Sequence, residues 1–130
     1  MAHSYVHGYS DPETQRLFDQ ADTLTNLLHY DSFFPSGSRI FEAGCGTGAQ
    51  TCILARQNPD CAFVSVDISG ESLAVAKKRV ADAGYTNVTF HQADIVSAGT
   101  SFGLFDHAIF CFVLEHLKDP KKLFSQLCRW

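Results

Sequence analysis

The chain has 130 residues, 45% hydrophobic and 18% charged, with a formal net charge of −4. That describes one folded domain and excludes a disordered tail, and the acidic balance argues against a protein that holds nucleic acid by its phosphates. The five cysteines (Cys45, Cys52, Cys61, Cys111 and Cys128) are odd in number and form no C-x-x-C pair, so a disulfide framework or zinc site is not expected and a reducing cytoplasm is. No apolar run reaches the ~18 residues of a membrane span, and residues 1–10 lack a signal-peptide core.

In chain order, Asp11-Pro12 opens an N-terminal helix whose stripe is Leu17, Ala21, Leu24 and Leu28. Pro35-Ser36-Gly37 breaks it. Residues 39–43 read as a first strand that runs into the glycine cluster 44–48, and residues 49–57 as a short helix stopped by Asn58-Pro59. Residues 62–66 form a second strand ending at Asp67. Ser69 caps a helix through Ala83 with Leu73, Ala76, Val80 and Ala83 on one side, closed by Gly84. Residues 88–91 give a third strand ending near Asp94, and 95–104 a polar loop. Residues 105–112 give a fourth strand, and Asp119-Pro120 opens a last helix with Leu123, Phe124 and Leu127. Alternating strands and helices predict an α/β fold, a Rossmann-like doubly wound parallel sheet. Residues 1–38 supply an arm and helix to the same domain, and residues 39–130 its core.

Glu42-Ala43-Gly44-Cys45-Gly46-Thr47-Gly48 stands between a strand and a helix, where glycine permits a tight turn and close approach of a ligand. Asp67 follows Gly44 by 23 residues (67 − 44), close to the ~20 expected of a carboxylate that binds ribose hydroxyls. A dinucleotide site also fits, because Gly44-x-Gly46-x-x-Ala49 is a permitted variant of that fingerprint. Glu42 favours a cationic ligand, since a carboxylate at the close of the first strand opposes a pyrophosphate.

These residues resemble the E-x-G-C-G-x-G motif of class I S-adenosylmethionine-dependent methyltransferases. Val66-Asp67-Ile68-Ser69 resembles the segment that holds the ribose, and Gln92-Ala93-Asp94-Ile95 the segment that borders the adenine. Residues 105–120 resemble the fourth strand and the helix start after it. The lead-in, Val6-His7-Gly8-Tyr9-Ser10 with Arg16-Leu17 and Asp19-Gln20-Ala21, resembles a "type 11"-like subgroup. The resemblance implies the strand order 3-2-1-4 for the part present, with strands five to seven of the family lacking. It also implies S-adenosylmethionine as cofactor, held by Glu42, Gly44, Cys45, Gly46, Gly48, Asp67, Ile68, Asp94, Ile95 and Phe110, with Tyr9 or Gln20 closing over its methionine end. The acceptor is expected to be a small molecule. Glu115 and His116 are weak candidates for a base, no metal site is expected, and the apolar fourth strand is expected to promote self-association as a sheet edge. Two competing functions remain at this stage: a non-catalytic module that binds the adenosyl cofactor or a partner chain, and a nicotinamide-dependent Rossmann domain.

Overall fold

A computed structural model of the chain describes residues 29–95 and 102–110, with Asp19, Thr23, Leu27 and Lys121 individually. Among the described residues the elements of the core follow in the order β1 (Arg39–Ala43), α1 (Ala49–Gln57), β2 (Ala62–Asp67), α2 (Gly70–Asp82), β3 (Val88–Gln92) and β4 (His107–Phe110). The strands form one parallel sheet in the order β3-β2-β1-β4, as expected.

Strand alternation divides the core into two layers. Ile40 and Phe63 point to one face, where they pack with Leu54 of α1 and with Cys61. Phe41, Ala43, Val64 and Val66 point to the other and pack with Ile95; Phe102, Phe105 and Phe110 lie against this second cluster. Both central strands are buried on both faces, and the polar residues they bury, Glu42 of β1 and Ser65 of β2, stand side by side on one of them.

The helices start and stop where local chemistry dictates. The Ser69 hydroxyl accepts from the Ser72 N–H and caps α2, which buries Leu73, Ala76 and Val80. Gly84, at φ 82°, takes the left-handed conformation that closes such a helix. Asn58 ends α1 and also ties it to the preceding segment: its side-chain oxygen accepts from the Phe34 N–H, and its amide donates to the carbonyls of Ser32 and Leu54.

β4 is shorter at its start than the expected 105–112. Its entry is occupied by a clamp on Arg39, whose guanidinium donates to the carbonyls of Leu104 (2.6 Å) and Phe102 (2.7 Å) and lies 4.1 Å from the centre of the Phe105 ring. Asp106 already meets β1 through its N–H, which donates to the Arg39 carbonyl at 2.8 Å, and the strand proper begins at His107. Residues 111 and 112 lie outside the described residues, as do the stripe Leu17, Ala21, Leu24 and Leu28 and the last helix except Lys121. Asp19, Thr23 and Leu27 are helical and exposed, within the expected N-terminal helix. β4 bounds the described sheet on one side. Among the described residues, no helix is long and apolar enough to cross a membrane.

Candidate functional site

The site is built where β1 and β2 end and the chain turns. Gly44, Gly46 and Gly48 all have positive φ (71°, 57° and 88°), a backbone that side chains rarely adopt, so the glycine spacing is a conformational requirement. The turn is fastened to β2 by backbone bonds: Gly44 and Cys45 N–H both donate to the Val66 carbonyl, at 2.8 and 3.1 Å. Gly48 has a second duty. A Cβ there would lie 3.0 Å from both Cα and Cβ of Ala76, so its absence lets α1 start against α2. At Gly46 a Cβ would meet nothing within 4 Å; this glycine faces open space, where a ligand can approach the backbone.

Asp67 latches the loop from the neighbouring strand. Its Oδ2 accepts from the Gly46 N–H at 2.8 Å and its Oδ1 from the Ser69 N–H at 2.9 Å. Each carboxylate oxygen has a second lone-pair direction, so the residue can hold the loop and still accept from a hydroxyl. Ile68 follows it with 69% of its surface exposed, a large apolar side chain at the mouth of a polar turn. The Ile68 carbonyl accepts from the Gln92 side chain at 3.2 Å, which joins the ends of β2 and β3. Asp94 is exposed beyond β3, and Ile95 is buried beneath it. Phe110 is half-buried at the head of β4, in register with Ala43.

Glu42 occupies a different position from the other candidates. Strand alternation turns its side chain under α1, where it is 0% exposed. Thr51 and Ser65 hydroxyls each donate to its Oε1 at 2.6 Å, and the Gln50 amide donates to its Oε2 at 2.7 Å. These are the short distances of hydrogen bonds to an ionised carboxylate. Glu42 is thus a buried carboxylate held by three donors behind the loop, whereas Asp67 stands in front of it.

The two carboxylates make the loop electronegative, and Cys45 registers the field. Burial chiefly, then the charges of Glu42 and Asp67, hold its thiol far above its ordinary value. Burial and the two carboxylates disfavour a thiolate at this position, and the side chain packs as a small buried group. Gln50, Thr51, Ser65 and His29 were not singled out from sequence. The available signal was period two in β2, which places Ser65 on the face of Glu42.

The remaining histidines on strands are stacked. The His91 ring lies 4.9 Å from that of Phe102, and the His107 ring 5.0 Å from that of Phe34. An open groove lined by Pro35, Ser36, Gly37, Ser38, Asp106 and His107 lies at the amino ends of β1 and β4, the opposite end of the sheet from the glycine loop. Among the described residues, no three His, Cys, Asp or Glu side chains group to hold a metal ion. Tyr9, Gln20, Glu115 and His116 lie outside the described residues.

Comparison with known proteins agrees with this architecture. The chain is 37% identical over 127 residues to a trans-aconitate 2-methyltransferase of Afipia carboxidovorans, covering 95% of this chain and 45% of that protein. It is 34% identical over 94 residues to a tRNA (guanine-N(7)-)-methyltransferase of Rubrobacter xylanophilus, covering 65% of this chain and 42% of that one. The N-terminal domain of EvdMO1, solved with SAH bound, superposes with a TM-score of 0.70 at 28% identity, over 83% of this chain and 44% of that one. The chain spans less than half the length of the curated relatives it matches. A family model described as "Methyltransferase domain" matches residues 35–130, so the chain belongs to the methyltransferase domain family, with a class I Rossmann-like fold.

Proposed function

We propose that the chain is the cofactor-binding part of an S-adenosylmethionine-dependent methyltransferase that acts on a small-molecule acceptor. The observation that carries this reading is the sign of the charge around the glycine loop. Glu42 behind the loop and Asp67 in front of it both raise the Cys45 thiol. Asp67 suits a ribose in either ligand, so Glu42 discriminates: its carboxylate opposes a pyrophosphate at the turn, whereas a ligand bearing sulfonium and ammonium groups is attracted by it. The same charge counts against a nicotinamide dinucleotide.

The residues present fit such a ligand. Gly46 leaves open space at the turn. Asp67 retains acceptor capacity for ribose hydroxyls, and the exposed Ile68 offers an apolar face for a flat base. Asp94 is proposed to accept from an exocyclic amine, and Phe110 to flank the methionine end at the head of β4. Tyr9 and Gln20 are proposed to close over that end. Bound S-adenosylmethionine supplies a methyl group already activated on sulfur. The protein must align donor and acceptor, and a base is needed only where the acceptor has to lose a proton. Glu115 and His116 are the candidates for that role.

A small acceptor is favoured by the net charge of −4 and by the trans-aconitate methyltransferase relative, which aligns over nearly the whole chain. Among the described residues, Cys45, Cys52 and Cys61 form no disulfide, which suits a reducing, cytoplasmic setting. Calorimetric titration with S-adenosylmethionine, S-adenosylhomocysteine and NAD tests the reading. Saturable binding of the first two, weakened at least about tenfold in Asp67→Ala by loss of charged hydrogen bonds, is expected. Binding of NAD in their place would overturn it.

A further inference from the structure

The buried carboxylate of Glu42 is wired to a segment outside the strand–helix units. The Gln50 amide nitrogen donates to Glu42 Oε2, so its oxygen faces the other way, 2.8 Å from His29 Nε2. The amide orientation therefore fixes the histidine tautomer: Nε2 carries the proton and donates to Gln50, while Nδ1 lies 3.1 Å from the Ser32 hydroxyl. The result is a continuous relay Ser32–His29–Gln50–Glu42, ending on Thr51 and Ser65. Oε1 of Glu42 receives two hydroxyls from rigid elements; Oε2 receives only the Gln50 amide among the donors described. An amide side chain can turn either end toward the carboxylate, and turning the oxygen toward it would set two acceptors against each other. Glu42 therefore selects the nitrogen-inward orientation, and His29 meets the outward-facing oxygen and ties Gln50 to the segment before β1.

We propose that His29 and Gln50 are positioning residues for the cofactor loop: through them, seating of the segment before β1 orients the Glu42 carboxylate, and occupancy of the loop in turn steadies that segment. The inference rests on the reading of the loop as the adenosyl-cofactor site. Coupling of this kind is reciprocal, so ligand must tighten the segment if the segment tightens ligand. The side chain of His29 can be tested without undocking the segment, because the segment has other anchors. Gln57 donates to the His29 and Ser32 carbonyls, and Asn58 bonds Ser32 and Phe34.

The experiment is titration of the full chain with S-adenosylhomocysteine for the parent, His29→Ala, His29→Gln, Gln50→Ala and the double alanine variant, with melting curves for each. Loss of one half-buried hydrogen bond in the relay should weaken binding roughly five- to tenfold in His29→Ala and in Gln50→Ala. The double variant should be no weaker than either single one, because both cut the same path. His29→Gln restores an N–H donor and should return affinity to within about twofold, a rescue that mere packing would not produce. In the parent, S-adenosylhomocysteine should slow hydrogen exchange of the Ser32 and Phe34 amides. Unchanged affinity in His29→Ala, additive losses in the double variant, or unaltered exchange at Ser32 and Phe34 would each overturn the inference while leaving the cofactor reading intact. A folded parent that binds no S-adenosylhomocysteine would sink both.

Discussion

Replacing Glu42 by alanine removes the acceptor for three donors at once. Two of them, Thr51 and Ser65, sit at positions with no exposed surface. A buried donor left without a partner costs about 1–3 kcal/mol. Thr51 can recover part of this by bonding a carbonyl of its own helix, so the sum is about 3–5 kcal/mol, not three full penalties. Against a total stability of about 5–15 kcal/mol that is a large fraction. For a domain of this size it corresponds to a fall in Tm of roughly 10–20 °C. Glu42→Gln is the informative partner. Its introduced carbonyl can still accept from Thr51 and Ser65, and its amide can donate to Gln50 once the Gln50 side chain turns over. His29 must then accept at Nε2 and carry its proton on Nδ1, facing Ser32. This variant should lose no more than about 1 kcal/mol, within the range of one neutral hydrogen bond. The His29 ring nitrogens should exchange protonation in ¹⁵N NMR spectra. Thermal and urea melts with unchanged m-values provide the stability scale. A Glu42→Ala protein that melts within about 1 kcal/mol of the parent, or a Glu42→Gln protein with an unaltered His29 tautomer, would refute the reasoning from hydrogen-bond matching.

Two further outcomes follow from the loop itself. Gly48→Ala should destabilise by about 2–4 kcal/mol, from left-handed strain plus the clash with Ala76, whereas Gly46→Ala should cost only about 1–2 kcal/mol but weaken S-adenosylhomocysteine binding more than tenfold; parallel melts and titrations separate the two. The Cys45 thiol is raised in the folded protein above its ordinary value of 9.0, so the folded state keeps this proton at pH values where the unfolded chain releases it. Its contribution is fully present below about pH 9 and is lost as pH rises further, and Cys45→Ala should flatten that alkaline decline in urea melts.

Much of the framework was legible because it depends on neighbours in sequence. The Ser69 cap, the Leu73-Ala76-Val80 stripe, the Gly84 stop and the three glycines of the loop all declare themselves within a few residues of one another. The strand order came from the family resemblance, and the comparisons and the sheet agree with it. Glu42 was chosen for its charge, and its charge does reach the loop, but its carboxylate faces α1 and not the open turn. Alternation alone cannot say which face of a strand buried on both sides looks toward a helix. Its partners lie 8, 9 and 23 residues away, and His29 lies 21 residues from Gln50. Those contacts exist only once the sheet and α1 have met. The Arg39 clamp was invisible for the same reason: it joins groups 63 and 65 residues apart.

That clamp also decides what stands at the far end of the sheet. Arg39 N–H donates to Asp106 Oδ2 and the Asp106 N–H donates back to the Arg39 carbonyl, both at 2.8 Å, so the foot of β4 is indexed to the first residue of β1. Because side chains alternate, a slip of one position would carry Phe110 from the loop side of the sheet to the helix side and bring Ile109 across in exchange. Four residues of strand, roughly 13 Å, separate this index point from the ligand end. The floor of the molecule therefore serves as the datum from which its ceiling is measured, and an error made at Arg39 would be read out at Phe110.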